Sequence, residues 1–325
     1  MALRGYLAEE IALDCAEGVL DRREALRRLG LLGLTAVSAT ALLAACAGDD
    51  DSTATTAAAS AVGASTTAAA ATTASSTSAG SSGAATTASS ATSAPATPTG
   101  ESITFAGPRG ELRGAWAAPA EPKGAVLVIH ENRGLTDHIA SIPPRLAADG
   151  YAALAVDLLS EEGGTAALGD SGAATAALGQ ASTERLVADL RAGLDELARR
   201  APSAKLAVMG FCFGGGMTWQ LLAAGEPRLA AAVPFYGPAP AGADFAGSKG
   251  AAVLGIYGEL DQRVNATRDA AAAALTAAGL THELRTFPGV DHAFFNDTGA
   301  RYNEAAATQA YQATLDWFGR YLAAQ

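Results

Sequence analysis

The sequence predicts a mostly parallel, doubly wound α/β sheet with helices on both faces, formed by residues 101–325. Short apolar runs alternate there with longer segments that repeat apolar residues at helical spacing. The runs are apolar at consecutive positions, as in "AVLVIH" at 125–130, which is typical of strands buried on both faces. Strands and helices in alternation form a sheet of this class.

The elements follow one another in a regular order. A hairpin pairs 102–105 with 112–117 around Pro108-Arg109-Gly110. The later strands are predicted at 125–130, 151–157, 206–211, 230–236, 252–257 and 282–287. The helices are predicted at 142–148, 183–199, 217–224, 267–278 and 302–322. In such a sheet, functional groups collect on loops at the carboxyl ends of the strands.

Residues 1–46 have the features of an export signal. Arg22-Arg23 and Arg27-Arg28 precede an uncharged run that ends at Leu43-Ala44-Ala45-Cys46. The Leu-Ala-Ala-Cys stretch resembles a bacterial lipobox, which implies cleavage before Cys46 followed by lipidation of its thiol. The arginine pairs resemble a twin-arginine signal, although residues 1–20 before them are unusually long and acidic. The alternative is an uncleaved membrane helix. Either way, we expect the folded part to lie outside the cytoplasmic membrane.

Composition separates a tether at 47–100 from the folded domain at 101–325. Ala, Ser, Thr and Gly fill residues 51–100, which contain no aromatic residue. Such a segment cannot bury enough apolar surface to offset the entropy of ordering its backbone. The net charge is −11, and no basic stripe occurs in the domain. We therefore expect no nucleic-acid partner, because phosphate binding needs clustered Lys and Arg.

Cys212 stands in a glycine-rich turn between a predicted strand and a predicted helix. Gly210-Phe211-Cys212-Phe213-Gly214 has the glycine spacing of a nucleophile elbow. The helix behind Cys212 aims its N-terminal amides at the sulfur, which favours the thiolate. The Phe213 N–H is then placed as an oxyanion donor. A buried cysteine that only packs in a tight turn is the alternative.

A carboxylate and an imidazole follow later strands, as a catalytic triad requires. Asp261 ends "YGELD" and His292 ends "GVDH". The chain order of nucleophile, acid and histidine is that of the hydrolases with a nucleophile elbow. His292 would accept the thiol proton or hold the thiolate as an ion pair, and Asp261 would fix its tautomer.

Other ionisable residues near these motifs are weaker candidates for the catalytic acid and base. Asp291 adjoins His292, and consecutive side chains usually point apart; Glu259 is a second rival to Asp261. His130 and His282 lie in or beside apolar strands and are interpreted as structural. The four histidines show no metal-ligand spacing, so no metal site is predicted.

Glu131 and Asn132 follow the first central strand. The Asn132 N–H stands where a second oxyanion donor is needed. A carboxylate at Glu131 would keep the nearby thiol protonated, or take its proton when substrate arrives. A glutamate in a surface turn is the alternative.

The stretches "IHENRGL", "GFCFGGG", "YGELD" and "GVDHAFFND" together resemble the dienelactone hydrolase (carboxymethylenebutenolidase) family over nearly all of 101–325. The resemblance implies an α/β-hydrolase fold with Cys212, Asp261 and His292 as catalytic residues. It also implies that Glu131 is a switch controlling thiolate formation. The implied reaction opens a carboxylate-bearing lactone through an acyl thioester, without a cofactor.

One substrate-binding position departs from that family's pattern. The family has an arginine shortly after the catalytic histidine, and Asn296 stands there in this sequence. Arg301 and Arg133 are candidates to compensate. The departure favours a neutral or differently shaped ester or lactone.

These features predict an exported, lipidated cysteine hydrolase of small carboxylic esters or lactones. Two alternatives remain open. One is a membrane-tethered binding lipoprotein that has lost turnover, although such a protein would not need Cys212, Asp261, His292 and Glu131 together. The other is acyl transfer to an acceptor other than water.

Overall fold

The computed structural model describes residues 3–46 and 100–323, so all of the predicted tether except Gly100 lies outside the described residues. Within them, one sheet of eight strands has the order β1-β2-β4-β3-β5-β6-β7-β8. The strands are β1 (Glu101–Gly107), β2 (Gly110–Ala117), β3 (Ala125–Ile129), β4 (Ala152–Asp157), β5 (Leu206–Phe211), β6 (Leu229–Phe235), β7 (Ala252–Gly258) and β8 (His282–Phe287).

Helices cover both faces of this sheet. In chain order they are α1 (Leu3–Ala16), α2 (Arg22–Leu31), α3 (Ala36–Cys46), α4 (Asp137–Ala140), α5 (Ile142–Ala148), α6 (Ser171–Gln180), α7 (Thr183–Arg200), α8 (Phe213–Ala223), α9 (Gln262–Asn265), α10 (Arg268–Ala278) and α11 (Glu304–Tyr321). β2 is antiparallel to β1 and β4, and every other neighbouring pair is parallel. The predicted mostly parallel, doubly wound sheet is confirmed.

The central strands are buried on both faces, as their continuous apolar runs predict. Every residue of β3, β4 and β5 is buried. Each end of such a strand is marked by the change from apolar to polar or glycine residues. For this reason the strand boundaries lie within a few residues of those predicted from the sequence.

Helix α8 begins at Phe213, four residues before the helix predicted at 217–224. The glycines at 214–216 have low helix propensity, which hides the start of the helix in the sequence. They are needed because the helix passes close to the strands: a Cβ on Gly215 would lie 2.3 Å from the Phe235 carbonyl oxygen. Helices α4, α6 and α9 are absent from the prediction, since α4 and α9 are single short turns and α6 has one large apolar residue, Leu178, too few to give a helical period.

Helices α1 to α3 pack against the domain, an arrangement that the sequence does not predict. Leu7, Ile11 and Leu29 are all at most 2% exposed. Leu32, just after α2, lies so close to Gly179 of α6 that a Cβ there would approach its Cδ2 to 2.5 Å. Arg27 of α2 also donates to Asp170, the N-cap of α6, at 3.1 Å. Among the described helices, none has the length and apolar character needed to cross a membrane.

Candidate active site

Cys212 lies on a sharp turn between β5 and α8. Its φ of 55° and ψ of −117° are strained for a residue with a side chain. The flanking glycines make the turn possible. A Cβ on Gly210 would lie 2.1 Å from the Gly214 carbonyl oxygen, and one on Gly214 would lie 2.3 Å from that of Ile129. The turn therefore presents the thiol at the start of α8, as a nucleophile elbow does.

Asp261 and His292 form a buried pair beside this turn. The His292 Nδ1 lies 2.6 Å from the Asp261 Oδ2. The other oxygen of Asp261 accepts the Val264 backbone N–H at 3.1 Å, which caps α9. With both carboxylate oxygens held, Asp261 fixes the orientation of the imidazole and the tautomer with a proton on Nδ1.

The two rival carboxylates have other partners. Asp291 accepts the backbone N–H of His292 at 2.7 Å, and Glu259 accepts that of Gly289 at 2.7 Å. Both therefore shape the loop that carries His292, while Asp261 is the carboxylate bonded to its ring.

Glu131 is a buried carboxyl beside the thiol, and Asn296 holds it in place. Asn296 Nδ2 donates to the Glu131 Oε2 at 2.6 Å, and Thr298 donates to the Asn296 Oδ1 from both its N–H and its hydroxyl. The Glu131 Oε1 is buried and has no partner among the described residues. Burial raises the pKa of Glu131, which makes its carboxylate a stronger proton acceptor. The Asn296 amide thus binds and positions the Glu131 carboxyl, a role that its place in the sequence does not indicate.

Two backbone amides follow the ends of the neighbouring strands β5 and β3. Phe213 supplies the first amide of α8, which has no acceptor within the helix. Asn132 follows β3 and borders the same cavity as Cys212, and Thr175 Oγ1 fixes this loop by donating to the Asn132 carbonyl at 3.0 Å. Both positions suit donors to an oxyanion.

His130 and His282 lie apart from the Asp261–His292 pair. The Leu158 N–H donates to His130 Nε2 at 3.1 Å, and His130 Nδ1 lies 2.6 Å from the Glu131 carbonyl oxygen. Burial lowers the pKa of His130, as expected for a neutral ring with both nitrogens bonded. His282 Nδ1 bonds the Leu280 carbonyl. Both rings hold backbone segments in place.

Cys212 borders a cavity of about 250 Å³ whose wall includes Glu10 and Asp14 of α1. Glu131, Asn132 and His292 border it, and Arg133 and Arg301 supply positive charge. Arg301 also donates to Asp14 of α1 at 2.8 Å and to Glu17 at 2.6 Å. The volume suits a small molecule.

Helix α1 reaches Cys212 and His292. The Tyr6 hydroxyl lies 3.4 Å from the Cys212 Sγ, and the Glu10 Oε1 lies 3.3 Å from the His292 Nε2. Arg263 pairs with Glu10, and its guanidinium carbon lies 4.5 Å from the centre of the Tyr6 ring. The only sign of these contacts in the sequence is the acidic stretch before the arginine pairs.

The closed site favours a neutral thiol and a charged imidazole. Burial raises the pKa of Cys212, and the Glu10 carboxylate raises it further, against a smaller lowering by His292. Burial alone would lower the pKa of His292, but the carboxylates of Glu10 and Asp261 raise it well above its ordinary value.

Glu10, Cys212 and His292 also present ligand atoms within 4.8 Å of one another, the one such grouping among residues 3–46 and 100–323. The guanidinium of Arg263 already neutralises Glu10, which disfavours a cation at this point.

Cys46, the residue predicted to carry a lipid, is the last residue of α3.

Known proteins resemble most of the domain. The Dienelactone hydrolase family matches residues 112–322. A "Putative carboxymethylenebutenolidase" of Salmonella typhimurium is 34% identical over 221 residues, covering 63% of this chain and 82% of the relative. A protein with the same name from Saccharolobus solfataricus is 31% identical over 245 residues, covering 65% of this chain and 94% of the relative. The crystal structure of a "Putative Dienelactone Hydrolase" from Klebsiella pneumoniae superposes with a TM-score of 0.61 at 30% identity, covering 68% of this chain and 98% of that one.

Proposed function

The chain belongs to the dienelactone hydrolase family, and from this premise we propose that it hydrolyses small carboxylic esters or lactones through an acyl thioester on Cys212. The observation that carries the proposal is the geometry of three residues at strand ends: Cys212 on its strained elbow, and His292 bonded to Asp261 at 2.6 Å. A binding module would not need a thiol held in a strained backbone conformation, because strain of this kind is retained where it serves chemistry.

The reaction follows from the proton donors and acceptors of the site. The free Oε1 of Glu131 accepts the thiol proton as the substrate enters, and the thiolate attacks the carbonyl carbon. The Phe213 and Asn132 amides stabilise the oxyanion. Protonated His292 gives its proton to the leaving alcohol oxygen as the acyl thioester forms.

Hydrolysis of the thioester completes the cycle. Neutral His292 takes a proton from water, whose hydroxide attacks the acyl carbon. The carboxylic acid product leaves, and the sulfur recovers its proton from Glu131. One water is consumed and no cofactor takes part. Asp261 keeps the imidazole aligned in both halves of the reaction.

The charge of the cavity suggests the substrate class. The Asn296 amide is bonded to Glu131 and Thr298 and is not free for substrate. Arg133 and Arg301 are the cationic side chains on the cavity wall. In place of the neutral substrate that Asn296 suggested in the sequence, we therefore propose that these arginines bind an anionic group of the ester or lactone, since guanidinium groups match carboxylates in geometry and charge.

The test is turnover of matched neutral and carboxylate-bearing esters and lactones by protein isolated from the cell envelope. We expect turnover of both, with KM about tenfold lower for the acidic member of each pair, the order of one charge-assisted hydrogen bond. Equal KM values for the neutral and acidic substrates would contradict a role of the arginines in substrate binding. Absence of all turnover by folded, reduced protein would contradict the hydrolase proposal.

We also propose that the protein is exported and tethered outside the cytoplasmic membrane through a lipid on Cys46. The support is in the sequence: paired arginines, an uncharged run and Leu43-Ala44-Ala45-Cys46. Cys46→Ala should move the protein from the membrane fraction to the soluble fraction, as measured by fractionation and immunoblotting. Unchanged membrane association would favour an N-terminal segment that is retained as the anchor.

A further inference from the structure

Helix α1 closes the mouth of the active site. Its Tyr6 hydroxyl meets the nucleophilic sulfur, and its Glu10 carboxylate meets the catalytic Nε2. With α1 in place, Cys212 is 3% exposed and His292 is 1% exposed. A carbonyl carbon must come within bonding reach of the sulfur, and its leaving group must reach Nε2. The side chains of Tyr6 and Glu10 occupy both positions.

Charge complementarity holds the helix there. Arg263 and Arg301 are basic residues of the domain, and both side chains are 15% exposed. Every described carboxylate within ion-pair distance of either guanidinium belongs to the N-terminal segment: Glu10 for Arg263, and Asp14 and Glu17 for Arg301. The acidic face of α1 therefore neutralises the basic rim that an anionic substrate would meet.

An apolar contact secures the other side of the segment. Leu7 and Ile11 of α1 are 0% and 2% exposed, and Leu32 packs on Gly179 of α6. The Arg27–Asp170 ion pair joins α2 to the same domain helix. Helices α1 to α3 thus cover the domain as one packed unit, and α1 is its part over the thiol.

We propose that residues 3–45, the closing segment, keep the enzyme latent until export, and that their removal by cleavage before Cys46 opens the active site. This inference rests on the proposed hydrolysis and export. Hydrolysis of the Ala45–Cys46 peptide bond would release all three helices together, leaving the domain on its tether. Activity would then appear only outside the cytoplasmic membrane. The Glu10 carboxylate adds to closure, because it raises the pKa of the thiol beyond the effect of burial.

The test compares two charge reversals at adjacent positions in the purified, uncleaved full chain. Glu10→Lys places a cation against Arg263 and should expel α1. Glu9→Lys makes the same change at a half-buried residue with no ion pair among the described residues, and should leave α1 in place. The first readout is the rate of iodoacetamide alkylation of Cys212, located by peptide mass spectrometry so that Cys15 and Cys46 are counted separately.

We expect Glu10→Lys to raise the alkylation rate about tenfold or more over the wild type and Glu9→Lys, since the rate follows the population of the open state. Ile11→Asp is the second variant: it buries a charge in the apolar contact of α1, and its added carboxylate would not activate the thiol. A rise in both variants therefore reports access to the sulfur. Circular dichroism and thermal unfolding establish that the domain is folded in each variant.

Ester turnover of the same proteins separates this inference from the proposed function. Faster alkylation together with faster turnover supports both. Faster alkylation with no turnover of any ester supports the closing segment and contradicts the hydrolase proposal. An alkylation rate that is the same in the wild type, Glu10→Lys and Ile11→Asp overturns the inference, whatever the turnover.

Discussion

Replacing Cys212 with alanine should lower kcat by about 10⁴-fold to 10⁶-fold, the range seen when a nucleophile acting in concert with its base is removed. In the proposed reaction the thiol forms the bond to the acyl carbon, and no other described side chain on the cavity wall offers a comparable nucleophile. The measurement is steady-state hydrolysis of the best ester or lactone, with the Glu10→Lys chain as the background in which α1 is displaced.

Loss of fold is the confounding cause to exclude. Cys212 is 3% exposed, and the change to alanine removes one buried sulfur atom, so the free energy of unfolding should fall by roughly 1 kcal/mol. Thermal unfolding should therefore remain close to that of the parent. If the alanine variant were folded and kept more than about 1% of the activity, far above the residual expected without a nucleophile, another nucleophile would have to carry the reaction.

Asp261→Asn should lower kcat by about 10⁴-fold, while Asp291→Asn should change it by less than about tenfold. An asparagine at 261 can donate to Nδ1 and so stabilise the tautomer with its proton on Nε2, which cannot accept a proton from water. The Asp291 carboxylate accepts a backbone N–H of the loop instead, so its amide analogue retains an acceptor oxygen for that bond.

The paired design controls for charge, because each variant removes one carboxylate charge beside the same histidine. Stopped assays across pH 5 to 9 would show whether either loss reflects a shifted profile rather than a lower maximum rate. If both variants lost kcat to a comparable extent, Asp261 would not be the residue that specifically orients His292. The loss would then come from removing negative charge near the imidazole.

The strands, and the positions of Cys212, Asp261 and His292 after them, are accessible from the sequence because their signals are local. A strand buried on both faces reads as an unbroken apolar run, and Gly210 and Gly214 stand at fixed offsets from Cys212. The site residues of later strands fall at their carboxyl ends, where the parallel sheet brings loops together.

The contacts that the sequence does not reveal join residues far apart in the chain. Glu10 meets Arg263 and His292, and Asn296 meets Glu131, through single polar contacts that produce no periodic pattern. The composition of residues 1–46 indicates export signals, but the packing of α1 depends on surface shape and charge that appear only once the domain is folded. The start of α8 was hidden for a different reason, since close packing against the strands overrides the low helix propensity of its glycines.

The most direct test of the account is to trap the acyl enzyme. The Glu10→Lys chain would be mixed with an excess of a slowly hydrolysed ester, quenched in acid within milliseconds to seconds, digested and analysed by mass spectrometry. We predict that the peptide containing Cys212 gains the mass of the acyl group, that the adduct is removed by hydroxylamine as a thioester is, and that it forms and decays at rates consistent with turnover. Full turnover without an adduct on Cys212, or with the acyl group on another residue, would contradict the thioester mechanism.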